Sequence, residues 1–131
     1  MRTSRGKVVI LSKNSSSLFV YADALNKLGF YTLSLCNQVS EVMALLDEGR
    51  RYEYLLYDAL DSEVDAHSLQ AITKYRSVAT IIAIADANSR QRQSLLLWAK
   101  THKIPLRGIL QKPLRRGELR EFIEYYLTAF D

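Results

Sequence analysis

The sequence is poor in residues that staple a chain, bind metals or cross a membrane. It holds one cysteine, Cys36, which excludes an internal disulfide and fits a reducing compartment. With no catalytic partner nearby in sequence, Cys36 reads as an inert small residue. Its two histidines, His67 and His102, lack a second ligand at metal-binding spacing and read as surface residues. No apolar run approaches the ~20 residues of a membrane span. The first residues carry no apolar region of the secretory type, so the expected compartment is the cytoplasm. The stretch Ser15-Ser16-Ser17 after the first apolar run has no glycine, which argues against a phosphate-cradling loop. Internal repeats and low-complexity segments are absent. A formal net charge of +4 permits a nucleic-acid partner without demanding one. Aromatic residues do not interleave the basic run, so direct nucleic-acid binding is not expected.

What is present is an ordinary globular composition, 48% hydrophobic and 24% charged over 131 residues. That is one domain, 1–131, long enough to bury a core unaided. Apolar runs and helical periods alternate along it. Lys7-Val8-Val9-Ile10-Leu11 reads as a buried strand. Asn14 or Ser15 caps a first helix whose inward positions are Leu18, Tyr21, Ala22, Leu25 and Leu28, and Gly29 stops it. A strand over 30–35 follows. A second helix, capped by Ser40, buries Val42, Met43, Leu45 and Leu46 and ends at Gly49. Tyr54-Leu55-Leu56-Tyr57-Asp58 is the third strand. The spacing predicts a third helix over about 66–75, with Leu69 and Ile72 inward, and a fourth strand over 79–85. Asn88 or Ser89 caps a fourth helix whose run Leu95-Leu96-Leu97-Trp98 wraps more than one face and so exposes apolar surface. A connector broken by Pro105 leads to a fifth strand, 107–111. The last helix carries Leu119, Phe122, Ile123, Tyr126, Leu127 and Phe130 inward. Five strand–helix units predict an α/β fold with right-handed crossovers: a flavodoxin-like, doubly wound (βα)5 arrangement around a five-stranded parallel sheet of order 2-1-3-4-5.

In such sheets, sites form at the carboxyl edge of the strands. The third strand delivers Asp58 to that edge, and the fifth delivers Lys112-Pro113. Asp61, Glu63 and Asp65 make the following loop acidic; Asp65 reads as the cap of the third helix and the other two as solvated. Arg90, Arg92, Lys100, His102, Lys103, Arg107, Arg115, Arg116 and Arg120 form a basic run on the fourth helix, the connector and the fifth helix. Leu96, Leu97 or Trp98 within that charge would suit an interface with a polar rim.

Taken together, Asp58 ending the third strand, Asp65 seven residues on, Lys112-Pro113 after the fifth strand and the five units resemble the receiver domain of bacterial response regulators over essentially the whole chain. In that family the strand-three aspartate accepts a phosphoryl group from a histidine kinase, and an acidic pair after strand one holds Mg²⁺. A Ser or Thr after strand four and the lysine contact the phosphoryl oxygens, and the bond to the proline is commonly cis. The resemblance makes Asp58 the acceptor and Lys112 its contact. The acidic pair, however, falls at Ser12 and Lys13. A hydroxyl and an ammonium cannot replace two carboxylates as hard oxygen ligands, so Mg²⁺ binding is expected to be lost, with no cofactor in its place. The strand-four hydroxyl falls at Ile84 or Ala85, and the family's Met-Pro after the acceptor at Asp61-Ser62. The family's Gly after the second Asp is Ala66.

The expected function is therefore that of an atypical, pseudo-receiver domain and not an enzyme. It would signal by protein–protein contact and by regulating an attached output domain, without normal Mg²⁺-dependent phosphorylation. Lys13 and Lys112 would both approach Asp58 and hold it by Coulomb attraction. The alternatives are a working acceptor, phosphorylated at Asp58 by a histidine kinase, and a binder of small molecules at the strand ends. In receivers the face of helix four, strand five and helix five is the usual partner or dimer surface, which points to Leu96, Trp98, Arg107 and Arg116 as interface residues and to a possible homodimer. The segment 98–114 is similar to receivers fused to EAL-type cyclic-di-GMP phosphodiesterase domains, with a long connector and a "G-x-L-x-K-P-L" strand end. That similarity implies that the chain is the N-terminal part of a longer protein.

Overall fold

Strands and helices alternate strictly along the chain: β1 (Lys7–Leu11), α1 (Ser15–Lys27), β2 (Thr32–Cys36), α2 (Val39–Asp47), β3 (Tyr52–Asp58), α3 (Ser62–Lys74), β4 (Val78–Ala85), α4 (Ser89–Thr101), β5 (Leu106–Gln111) and α5 (Glu118–Phe130). The computed structural model describes residues 6–114 and 117–130. The five strands are all parallel, in the order β2-β1-β3-β4-β5, as the alternation of elements predicts. Arg115 and Arg116 of the predicted basic face lie outside the described residues, as do the side chains of Tyr126, Leu127 and Phe130.

The central strands are apolar at successive positions because both faces of the sheet are covered. Val9, Leu55 and Ile81 face one way and pack with Val42, Leu69 and Ala99 of α2, α3 and α4. Val8, Ile10, Leu56 and Ile82 face the other way and pack with Leu18 and Leu25 of α1 and Leu119 and Ile123 of α5. This two-residue period positions the site. Ser12, Asp58 and Lys112 continue the parity of Ile10, Leu56 and Leu110 one step beyond the core, toward the α1 side. Backbone bonds from Ser12 N to Cys36 O (3.0 Å) and from Lys112 N to Ala85 O (3.1 Å) carry the sheet pattern that one step further.

Among the element boundaries that differ from the sequence reading, three have a clear local reason. Ser40 does not cap α2. Gln38 does, and the Glu41 carboxylate turns back to accept the amides of Asn37 (2.9 Å) and Gln38 (3.1 Å). Helix α3 starts a turn earlier than predicted because Asp61 is its cap, Oδ1 accepting the Glu63 amide at 3.0 Å. Asp65 therefore lies inside the first turn, accepting the Asp61 amide at 2.8 Å. Strand β2 begins at Thr32, since Gly29, at φ 96°, turns the chain and leaves Phe30 buried ahead of the strand. Asn14 and Asn88 cap α1 and α4 as read.

Gly108 in β5 has a steric reason. A β-carbon there would lie 2.2 Å from Cζ and 2.4 Å from Cε2 of Phe122, so the α5 ring lies directly over the strand backbone. Replacing Gly108 by Val is expected to displace α5 and destabilise the fold by about 1–3 kcal/mol, read as a lowered urea midpoint. A midpoint equal to the native one would contradict this packing.

Candidate functional site

Asp58 is the last residue of β3, and its side chain is only 3% exposed. Ala59 follows in the left-handed region at φ 55°, a conformation costing a non-glycine residue about 1–2 kcal/mol. That turn drops the chain so that Leu60 N reaches Ile84 O at 3.0 Å, and the Asp58 carboxylate stays at the strand end. Both of its oxygens accept hydrogen bonds. Ser12 Oγ donates to Oδ2 at 2.7 Å and the Tyr21 hydroxyl donates to Oδ1 at 2.9 Å. Lys112 Nζ lies 3.7 Å from Oδ1 with its side chain 41% exposed. Bonds of this kind to a carboxylate are stronger than neutral ones, and burial makes their absence expensive. Among the described residues no buried side-chain nitrogen or oxygen lacks a partner.

The predicted pairing of Lys13 with Asp58 is not formed. Lys13 is exposed, and among the described residues Lys112 is the only ion-pair partner of Asp58. The reason is parity: Ser12 shares the inward direction of Ile10, so the next residue is directed away. An ammonium also keeps its hydration at the rim, where a carboxylate already bonded by two hydroxyls offers little in exchange. Lys13 still lines the same cavity of about 660 Å³, with Asn14, Asn37, Asp58, Asp65 and Lys112. These residues do not suit a divalent cation, because at the two positions that follow β1 one supplies a hydroxyl and the other a positive charge. Among the described residues, no three His, Cys, Asp or Glu side chains gather as a ligand set.

At the end of β4, Ile84 is registered against Asp58, and Ala85 follows, so neither position carries a hydroxyl. Gln111 occupies this edge instead. Its Oε1 accepts from Ala87 N (3.2 Å) and Arg92 Nη1 (2.9 Å), and its Nε2 donates to Asp86 Oδ1 (3.0 Å). Arg92, which the sequence places in the basic surface run, thus ties the start of α4 to β5. Sequence reasoning missed both this link and Tyr21, which it assigned to the core by helical spacing alone. The one available signal was a phenol on an otherwise aliphatic buried face, which must find a partner. Elsewhere, burial and then Glu41 push the Cys36 thiol up to about 11, which fits an inert residue. His67 and His102 are exposed. On α4, Leu97 is 66% and Leu96 36% exposed, while Trp98 is half-buried against the core and tilted over His102, ring centroids 5.1 Å apart.

Tyr21 and Tyr57 make the site sensitive to alkaline pH. Burial, then the charge of Asp58 and its hydrogen bond, hold the Tyr21 phenol well above its usual range. Burial, then the bond to Asp65 (2.9 Å) and its charge, do the same for Tyr57. An unfolded tyrosine ionises near pH 10. Above that pH the unfolded chain releases protons that the folded chain keeps, so stability is fully present below about pH 10 and falls as pH rises. Urea melts should show this loss, and Tyr21→Phe and Tyr57→Phe should each flatten it. A native slope unchanged in both variants would contradict these assignments.

No family model matches the chain, and no curated protein does. Solved structures do resemble it. A response regulator from Thermotoga maritima superposes with a TM-score of 0.73 at 14% identity, covering 93% of this chain and 97% of that one. The receiver domain of the Arabidopsis thaliana histidine kinase CKI1, complexed with Mg²⁺, gives 0.67 at 18% identity, covering 95% and 94%. The N-terminal domain of a response regulator/sensory box/GGDEF three-domain protein from Carboxydothermus hydrogenoformans gives 0.68 at 16% identity, covering 95% of each chain. With β2-β1-β3-β4-β5 order and an aspartate at the end of β3, the chain has the fold of response-regulator receiver domains.

Proposed function

We propose that this chain is a pseudo-receiver: a signalling domain that works by protein contact and by controlling an attached output domain, without ordinary Mg²⁺-dependent phosphorylation at Asp58. The observation that carries the reading is the β1 edge, where Ser12 turns its hydroxyl onto Asp58 Oδ2 at 2.7 Å and Lys13 lies exposed at the rim. Receivers hold their metal with carboxylates at these two positions. Phosphoryl transfer depends on positioning and on neutralising charge, much of it by the metal. A hydroxyl and an ammonium supply neither ligand. Lys112 then acts as counter-charge to Asp58 and not as a phosphoryl contact. The second reading, a working acceptor phosphorylated by a histidine kinase, draws on the one retained pairing, Lys112 with Asp58 at 3.7 Å.

The contact surface we propose is the face of α4, β5 and α5. Leu96 and Leu97 stand out from α4, Arg107 is exposed on β5, and Tyr125 is 73% exposed on α5. Arginine and aromatic residues around an apolar centre are the usual make-up of a protein interface. The partner is a second copy of this chain, another protein or an attached output domain. Among output domains, the similarity of 98–114 to receivers joined to EAL domains favours a cyclic-di-GMP phosphodiesterase. Among the described residues no helix is long and apolar enough to cross a membrane, and no membrane or nucleic-acid contact is part of the proposal; a cytoplasmic location is.

Beryllofluoride, which adds to a receiver aspartate as a phosphoryl mimic, tests the reading. With excess Mg²⁺ and beryllofluoride, the native chain should show no bound ¹⁹F signal and no amide shifts confined to Ser12, Asp58 and Ala59. A bound signal abolished by Asp58→Asn would establish the working-acceptor reading in its place.

A further inference from the structure

Metal ligation by itself leaves one oxygen of Asp58 unexplained. Ser12 holds Oδ2. Oδ1 is the oxygen nearer Lys112, at 3.7 Å, and so the one toward the more exposed side of the site. It too is taken, by the hydroxyl of Tyr21 at 2.9 Å. Tyr21 reaches it from the buried face of α1, where its ring packs among Leu18, Leu25 and Ile10 and the residue is 5% exposed. The Tyr21 end of this bond is shielded from water by that packing. A group approaching Oδ1 must displace a phenol whose other polar neighbour is Ser17 on the same helix, and unpairing a buried donor from a carboxylate is costly.

From this geometry we infer that Tyr21 is a latch on Asp58: a positioning residue that closes the carboxylate independently of whether a metal can bind beside it. The inference rests on the pseudo-receiver reading and adds a second barrier to it. Restoring the carboxylates of the β1 edge reopens Asp58 only weakly while the latch is in place; removing the Tyr21 hydroxyl as well reopens it fully. Phe at position 21 keeps the ring and its packing and deletes only the donor.

Three chains separate the possibilities: native, Ser12→Asp/Lys13→Asp, and that pair with Tyr21→Phe. Each is titrated with Mg²⁺ and beryllofluoride and followed by ¹⁹F and amide NMR, the amide spectrum also reporting the fold. The native chain should not bind. The triple variant should bind, about ten- to a hundred-fold more tightly than the double variant, the ratio expected for releasing one buried hydrogen bond to a carboxylate. Equal binding by the double and triple variants would overturn the latch and leave the pseudo-receiver reading standing. A folded triple variant that stays silent would also overturn it. Binding by the native chain would overturn both. If the triple variant does not fold, Lys13→Asp with and without Tyr21→Phe gives the same comparison on a less altered β1 edge.

Discussion

A carboxylate only 3% exposed at the end of a buried strand must be compensated on the spot, because water cannot do it. Everything at this edge of the sheet follows from how that requirement is met. Two hydroxyls and one ammonium surround Asp58, and they come from just after β1, from α1 and from just after β5. Removing either hydroxyl would leave a buried carboxylate oxygen without its hydrogen bond. The receiver-type scaffold thus presents at this edge a carboxylate whose two oxygens are both hydrogen-bonded by hydroxyls of the chain itself.

The scaffold brings these groups together through the two-residue period of the strands. Ile10, Leu56 and Leu110 fill the core on the α1 and α5 side. The residues two positions further on, Ser12, Asp58 and Lys112, inherit that direction just past the apolar layer. Tyr21 completes the set from above, since α1 crosses the same face. The same period turns Lys13 outward, leaving its charge at the rim of the cavity. On the opposite flank, Gln111 and Arg92 pin the start of α4 to β5 through the carbonyl of Ala87 and the carboxylate of Asp86.

Much of this was legible in the sequence. The continuous apolar runs of β1, β3 and β4 give a parallel sheet covered on both faces, and the βα alternation gives its strand order. Asp58 and Lys112 are legible as strand-end residues. What could not be read was the sign of each side chain's contacts. Lys13 beside Asp58 in the fold looks like a pair from charge alone, yet register turns it away. Tyr21 looks like one more core position, because spacing reports the side of a helix and not the reach of a phenol. Ser40 and Asp65 look like caps by residue type, but Glu41 and Asp61 supply the bonds that set those helix ends.

The central proposal is that the edge beside β1 of this receiver fold has no affinity for a divalent cation, because Ser12 and Lys13 offer no carboxylate and Asp58 is already bonded through both oxygens. Titrating the isotopically labelled native chain with MgCl₂, and following the amides of Ser12, Lys13, Asp58 and Ala59, tests this most directly. The account predicts only the small, linear and unsaturable shifts of ionic strength. Saturable shifts confined to those amides, and lost in Asp58→Asn, would contradict it.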